Sequence, residues 1–376
     1  MKKPGFFDWI IFLVNLVCAF ALLVTYFTNL LDPEKYWFFA FFGLAYPILL
    51  ITNILFCIYW LIRQHVIFFL SFIVLACGLR THQNVLKINF KKEKSTLQKN
   101  ENDIRVMTYN VNNFRAFDQQ FDPKVRSTML DIIKKQQPDI ICFQEFYTRH
   151  KGSYDIMDSI KSILGSKQVY FDKILDTEFQ QIGMAIFTKY KIVKTGIVKF
   201  SEEKHQNSCI YADVKYMGDT IRIFGVHLQS INFKPEDYEY IKGMKVEFEP
   251  DIQSSRKIGS RLKLAFLKRA HQAKLVAKAI DESPHPVILC GDFNDTPVSF
   301  TFKTISQNLK SAFAEKGSGY EITYAGAFPN FQIDYIMAGK ELSVQNYQVI
   351  KQELSDHYPL RSDLKLNSKT DSLERL

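Results

Sequence analysis

Cysteine is scarce in this chain and scattered. The six cysteines among 376 residues form no C-x-x-C pair and no Cys/His spacing of the kind a structural zinc site uses. Cys18, Cys57 and Cys77 lie in a strongly apolar N-terminal region, and Cys142, Cys209 and Cys290 lie in strand-like runs. No disulfide framework follows, and they read as small core residues. Internal repeats and low-complexity tracts are missing. So are a G-x-S-x-G elbow and a phosphate-binding glycine loop, which leaves a serine nucleophile and a nucleoside triphosphate site without support. Acidic charge is in deficit: the net charge is +9, a balance that favours anionic partners.

Hydrophobicity is abundant, and it is concentrated in one place. The first 80 residues are packed with Phe, Leu, Ile and Val, and the rest has the composition of an ordinary soluble protein. Phe6 to Leu31 is long enough for one transmembrane helix. It exceeds the apolar stretch of a signal peptide, and no A-x-A site closes it. A second span runs from Tyr36 to Ile62, with Pro47 tolerated as a kink and Tyr36, Trp37, Tyr59 and Trp60 suited to the two interfaces. Val66 to Leu79 is a third, at the lower limit of length. Residues 1–80 therefore read as a membrane region of about three helices, contacting the bilayer through residues 6–79.

Residues 81–102 read as a basic linker, with Lys87, Lys91, Lys92, Lys94 and Lys99 against Glu93 and Glu101. Basicity beside an apolar region suits anionic headgroups at least as readily as nucleic acid. Lys2 and Lys3 inside, followed by three crossings, would put the remainder outside the cytoplasm, whereas the linker lysines favour the cytoplasm. The expectation is an integral protein of the cell (inner) membrane with an extracytoplasmic catalytic domain over 103–366 and a polar tail over 367–376.

The most informative stretch is Val287-Ile288-Leu289-Cys290-Gly291-Asp292-Phe293-Asn294. Four apolar residues read as a buried strand, Gly291 ends it with backbone freedom, and Asp292 and Asn294 follow two residues apart. An Asx turn is the plain alternative. The same pattern recurs, however. Strands over Ile104–Tyr109, Asp139–Phe143 and Thr220–Val226 end at Asn110, Glu145 and His227, and Asp334, Asp356 and His357 sit on later segments. Strands with parallel neighbours would gather these polar ends on one rim, where open α/β sheets bind ligands. Carboxylates without thiols favour a hard cation such as Mg²⁺ or Mn²⁺, and such a set suits hydrolysis of a phosphate ester. Pro123 to Gln136 and Ser260 to Ile280 read as helices, with 230–260 a polar and aromatic insertion.

These residues stand in recognisable surroundings: Asn110 in T-Y-N-V-N, Glu145 in I-C-F-Q-E, Gly183 in I-G-M-A-I-F-T-K-Y, His227 in G-V-H-L-Q, Arg269 and Gln272 in R-A-H-Q, Asp292 and Asn294 in G-D-F-N, Asp334 in I-D-Y-I, and Asp356 and His357 in S-D-H-Y-P-L. In that order, over about 103–366, the set resembles the endonuclease/exonuclease/phosphatase superfamily. The resemblance implies a four-layer α/β sandwich of two packed mixed sheets and Mg²⁺-dependent cleavage of phosphoesters. It implies Glu145 as main metal ligand with Asn110 and Asp356 beside it. It further implies Asp292 as the group that orients or deprotonates water, and Asn294 as a holder of that water or of a phosphate oxygen. His227 would contact phosphate or protonate the leaving group, His357 would act as acid, base or phosphate ligand with Asp334 fixing its tautomer, and Arg269 would bind substrate.

The superfamily acts on many phosphodiesters, so the fold does not choose among them. A membrane region beside the catalytic domain favours a lipid headgroup or a lipid-linked phosphate. DNA or RNA is the alternative substrate, and a catalytically inactive membrane scaffold is a third reading. The insertion, with Phe233, Tyr238, Tyr240, Lys242, Lys245, Phe248, Arg256 and Lys257, reads as a lid, a headgroup-facing loop or plain surface.

Overall fold

The structure is a computed structural model that describes residues 5–87, 89, 98–115, 122–201, 206–246, 251–326 and 330–367. Part of the expected linker, Phe248, and nearly all of the expected polar tail lie outside the described residues.

The N-terminal unit comprises α1 (Phe6–Thr25), α2 (Pro33–Tyr36), α3 (Ala40–Ile62), α4 (Phe68–Cys77) and α5 (Leu79–Val85). Its polar side chains face inward. Asn15 Nδ2 donates to Ser71 Oγ at 2.6 Å, Ser71 Oγ to Asn53 Oδ1 at 2.9 Å, and Trp60 Nε1 to Asn15 Oδ1 at 2.9 Å. Phe7, Val17, Phe20, Leu55, Ile62 and Phe69 face outward. Hydrogen-bonded polar groups within and bare hydrocarbon without is the packing that lipid favours. Trp60 is thus a core residue of the bundle and not an interface anchor, because its indole N–H finds a partner only inside.

α1 and α3 coincide with the first two expected spans. The third stretch forms only the ten-residue α4, about 15 Å long, roughly half the hydrocarbon thickness. It ends at Gly78, where the backbone passes so close to the Tyr26 ring that a Cβ would lie 2.2 Å from it. α5 then carries the chain on to β1 (Leu86–Lys87), so the first residues of the expected linker are structured.

The C-terminal domain runs through β2 (Asp103–Asn110), α6 (Pro123–Gln136), β3 (Ile140–Arg149), α7 (Ile156–Leu164), β4 (Gln168–Asp176), β5 (Gln180–Thr188), β6 (Ile192–Val198), β7 (Ser208–Tyr216) and β8 (Asp219–His227). It continues with α8 (Pro235–Val246), α9 (Ile252–Asp281), β9 (Val287–Asp292), α10 (Phe300–Ile305), β10 (Leu309–Ser311), α11 (Ala312–Lys316) and β11 (Gly319–Tyr320). β12 (Asp334–Gly339), β13 (Leu342–Val344), β14 (Gln348–Val349) and β15 (Leu360–Leu366) complete it. One sheet has the order β13-β15-β2-β3-β5-β4 with β14 beside β15, and the other the order β10-β12-β9-β8-β7-β6. In each, one pair is parallel: β2 with β3, and β8 with β9.

Ile104, Val106, Ile140 and Ile186 of one sheet pack on Ile210, Ile223, Ile288 and Ile336 of the other. Met107, Ile141 and Phe143 meet α6 and α7 on one outer face, and Phe224, Leu289 and Tyr335 meet α9 and α10 on the other. This is the four-layer α/β sandwich that the resemblance implies. It also explains why the central strands read as unbroken apolar runs: both of their faces are covered.

Away from the site, Arg105 Nε and Nη2 donate to the two carboxylate oxygens of Asp363 at 2.7 and 2.8 Å, with both side chains 1% exposed. Asp363→Ala leaves a buried guanidinium without its carboxylate, and we expect a loss of about 3–5 kcal/mol of stability, read from denaturant unfolding of the full chain in detergent micelles.

Candidate active site

Each parallel pair sends its carboxyl ends to the same rim. Asn110 ends β2, Glu145 lies in β3, and His227 and Asp292 end β8 and β9 directly opposite one another. The antiparallel neighbours contribute their beginnings. Asp334 starts β12 opposite Asp292, and His357 precedes β15, which pairs with β2 from Leu360 onward. The rim is thereby built from segments that are far apart in the chain.

Backbone conformation at the rim is specific. Gly291 has φ +150°, and a Cβ there would lie 1.9 Å from the Val226 carbonyl oxygen, so no other residue fits. Glu145 and Asn294 both sit in the left-handed region, at φ +50° and +53°, a cost of about 1–3 kcal/mol each. At Glu145 the β3/β5 ladder slips between Phe143 and Phe146. Such a bulge re-aims one side chain, and here it turns Glu145 into the cavity.

Asp292 is the most connected group. Its Oδ1 accepts from the Asn294 backbone N–H at 2.7 Å, and its Oδ2 from Asn110 Nδ2 at 3.1 Å and Asn294 Nδ2 at 3.2 Å. His227 Nε2 and His357 Nε2 each lie 3.7 Å from Oδ2. Burial, with the neighbouring Asp334 charge added, pushes the Asp292 carboxyl up to about 6 against the imidazoles that lower it. Burial alone would depress His357, but the Asp334 and Asp292 carboxylates outweigh it and hold the imidazole well above its ordinary value. His357 Nδ1 sits 2.9 and 3.1 Å from the two Asp334 oxygens. His227 is lowered by burial, which favours its neutral form. Burial and then the like charge of Asp356 raise Glu145.

A cavity of about 240 Å³ opens above these groups. Of the residues singled out in the sequence, Asn110, Glu145, His227, Arg269, Asp292, Asn294, Asp356 and His357 all line it. Asp334 stands behind His357. Arg269, expected to bind substrate, donates from Nε to Asp295 Oδ2 at 3.2 Å and from Nη1 to the Gln229 carbonyl at 3.1 Å. It braces the loops after β8 and β9. Gln272 Oε1 completes that brace by accepting from Gln229 N–H at 2.9 Å.

Phe233 and Tyr238 of the insertion face the cavity, whereas Tyr240 hydrogen-bonds to Ser255 at 2.7 Å on the outside. Arg256 and Lys257 are exposed, and the side chains of Lys242 and Lys245 lie outside the described residues. The sequence reading passed over Asp295 and Tyr324. Asp295 directly follows Asn294, so its place in the same turn was open to view. Tyr324 meets the His357 ring edge-on at 5.1 Å, and no local pattern marks it.

The family model described as Endonuclease/Exonuclease/phosphatase family matches residues 107–357. The chain belongs to this family. It is accordingly a phosphoric ester hydrolase. A second model, a domain of unknown function (DUF8431), matches residues 8–85. No curated protein sequence matches the chain. Among solved structures, the endonuclease/exonuclease/phosphatase from Beutenbergia cavernae DSM 12333 is similar at 18% identity and a TM-score of 0.51, covering 71% of this chain and 72% of that one. The endonuclease/exonuclease/phosphatase from Bacteroides vulgatus is similar at 18% identity and a TM-score of 0.51, covering 70% of this chain and 99% of that one. At this identity the likeness establishes the family's fold.

Proposed function

We propose that the protein is a membrane-anchored, divalent-metal-dependent phosphodiesterase acting on a lipid headgroup or a lipid-linked phosphate. The observation that carries this reading is that the catalytic cavity is held against the N-terminal unit. Thr28 Oγ donates to the Val298 carbonyl at 3.2 Å, Lys274 pairs with Asp32 at 2.6 Å and with Glu34, and the Phe41 ring meets Phe266 edge-on at 5.3 Å. Phe6–Leu30 and Pro33–Ile62 are long and apolar enough to cross a membrane, with only 22% and 17% of their apolar windows buried. A core helix of a soluble protein would hide far more. The α1–α3 connection faces the catalytic domain, while Asp8 and Arg63 pair at the opposite end at 2.6 Å. That arrangement supports a catalytic domain on the side of the membrane away from residue 5, which we assign as extracytoplasmic.

The donor set fits a hard cation. Glu145, Asp356 and the Asn110 amide offer oxygens; burial first and then the Asp356 charge raise Glu145, and a bound cation would offset that charge. When bound there, Mg²⁺ or Mn²⁺ would neutralise charge on a phosphoryl oxygen. Asp292, Asp334 and His357 also bring ligand atoms within 4.8 Å of one another. Asp334, however, is committed to His357 Nδ1, so we assign that trio to proton handling.

Asp292, poised near neutrality, takes the proton of the attacking water, and Asn294 holds the carboxylate and the water in line. His357 has its Nδ1 engaged by Asp334 and presents Nε2 to the reacting phosphate as an acid. His227, neutral, hydrogen-bonds a phosphoryl oxygen. Arg269 positions the two loops rather than the substrate.

The test offers full-length protein in detergent micelles a generic phosphodiester, plasmid DNA and mixed phospholipid, with Mg²⁺ or with EDTA. EDTA-sensitive phospholipid turnover with intact plasmid is expected. Plasmid nicking with inert phospholipid would replace the lipid reading with a nuclease, and inertness toward all three would favour the scaffold.

A further inference from the structure

The cavity is chemically two-sided. Its floor carries Asn110, Glu145, His227, Asp292 and His357, and part of its wall is hydrocarbon: Leu262 and Phe266 from α9, Phe233 from the insertion, and Leu44 from α3. Leu44 belongs to the second candidate membrane span, so the N-terminal unit contributes a side chain to the catalytic cavity itself.

Its place there is held by packing. Gly43 approaches so closely that a Cβ on it would lie 3.3 Å from Thr28 Oγ and 3.9 Å from Val298 Cγ2. Val298, in the loop after β9, is buried in one apolar cluster with Ala19, Leu22, Tyr46 and Val74 of the N-terminal helices. Lys263 of α9 sits over the Trp37 ring at 4.3 Å. The two units therefore share a core at this point.

Along α3, Leu44 heads a stripe at helical spacing, with Ile48, Ile51, Leu55 and Ile62 on the same face. These four are 70%, 58%, 59% and 75% exposed. An apolar track thus leaves the catalytic cavity and continues down the outside of a helix that suits a bilayer. The charges at the cavity point the same way. Among the described residues, its lining includes no lysine and one arginine, Arg269, which is already paired with Asp295. A nucleic acid strand needs a row of cations for its phosphates, and the described lining offers none.

We propose that Leu44 and Phe266 form an apolar arm of the substrate site that seats the hydrocarbon of a lipid phosphodiester while its phosphate lies on the Asp292 floor. This assignment rests on the lipid reading above. Substrate then enters sideways from the bilayer along α3, and the N-terminal helices act as a specificity element as well as an anchor.

The experiment uses full-length protein in mixed detergent micelles with an equal mixture of phosphatidylcholine, phosphatidylethanolamine and phosphatidylglycerol, supplied as dihexanoyl or as dioleoyl lipids. The wild type should prefer dioleoyl substrate by at least about tenfold in kcat/KM. Leu44→Ala and Phe266→Ala should each cut that preference by about tenfold, chiefly through KM. Phe20→Ala, an exposed apolar truncation on α1 away from the cavity, should retain it. Equal turnover of both chain lengths by the wild type, an undiminished preference in Leu44→Ala, or an equal loss in Phe20→Ala would each overturn the arm while leaving the lipid reading intact. Hydrolysis of bis(p-nitrophenyl) phosphate with no turnover of either phospholipid would instead overturn the lipid reading, and the arm with it.

Discussion

Asp292→Asn should lower kcat on any phosphodiester by at least about a thousandfold, within the range a positioned general base contributes. The side chain keeps its size, and its Oδ1 can still accept from the Asn294 N–H that now bonds it at 2.7 Å. What disappears is a carboxylate whose burial pushes it up to about 6, where it is both largely ionised at neutral pH and basic enough to take a proton from water. Because burying that charge is costly in the folded state, the substitution should not unfold the domain. Initial rates on bis(p-nitrophenyl) phosphate, beside a thermal melt, decide the matter. A variant within tenfold of the wild type would remove Asp292 from proton transfer.

The second large effect concerns the cation. EDTA should abolish turnover and Mg²⁺ should restore it. The more discriminating readout is stability. An ion that binds only the folded chain stabilises it by about 2.7 kcal/mol at a hundred times its Kd, so Mg²⁺ should raise the Tm of the wild type. In Glu145→Gln that rise should vanish or require at least about tenfold more Mg²⁺. Without metal the variant should be no less stable than the wild type, because burial and the Asp356 charge already disfavour ionised Glu145. Calorimetric titration with Mg²⁺ gives the affinity independently of activity. An unchanged Mg²⁺-dependent shift in Glu145→Gln would remove Glu145 from the ligand set.

Much of this architecture was legible because local and global preferences agree. Pro123 and Gln136 bound α6 as read: Asp122 caps the first turn with its side chain on the Lys124 N–H, and the apolar face repeats at helical spacing. The strand ending at Asp292 was legible for a similar reason, since a run covered on both faces needs no alternation. β4 was not read. It is an edge strand, hydrogen-bonded to β5 alone and half-buried for most of its length, so it carries neither a continuous apolar run nor a clean alternation. α9 begins at Ile252 and not near Ser260, because Asp251 caps it with hydrogen bonds from Gln253 and Ser254. Its first turns carry mostly polar and exposed residues, which hide a helix from a hydrophobic pattern.

From the sequence alone came the chemical inventory and its order: three apolar spans, the third at the lower limit of length, buried-type strands that end in carboxylates, amides and imidazoles, and the family those motifs resemble. Tertiary structure decided how the inventory is spent. Asn110 and Asp292 are 182 residues apart and hydrogen-bonded, because two parallel pairs and the antiparallel strands beside them present opposite chain ends at one rim. Arg269 turned out to brace loops, Trp60 to fill the helical bundle, and Leu44 to reach the catalytic cavity. None of these follows from composition or periodicity, which specify which face of an element is buried but not what that face meets. The partner is chosen only when distant segments pack, and at this rim that choice sets a long apolar N-terminal helix beside a phosphoester site.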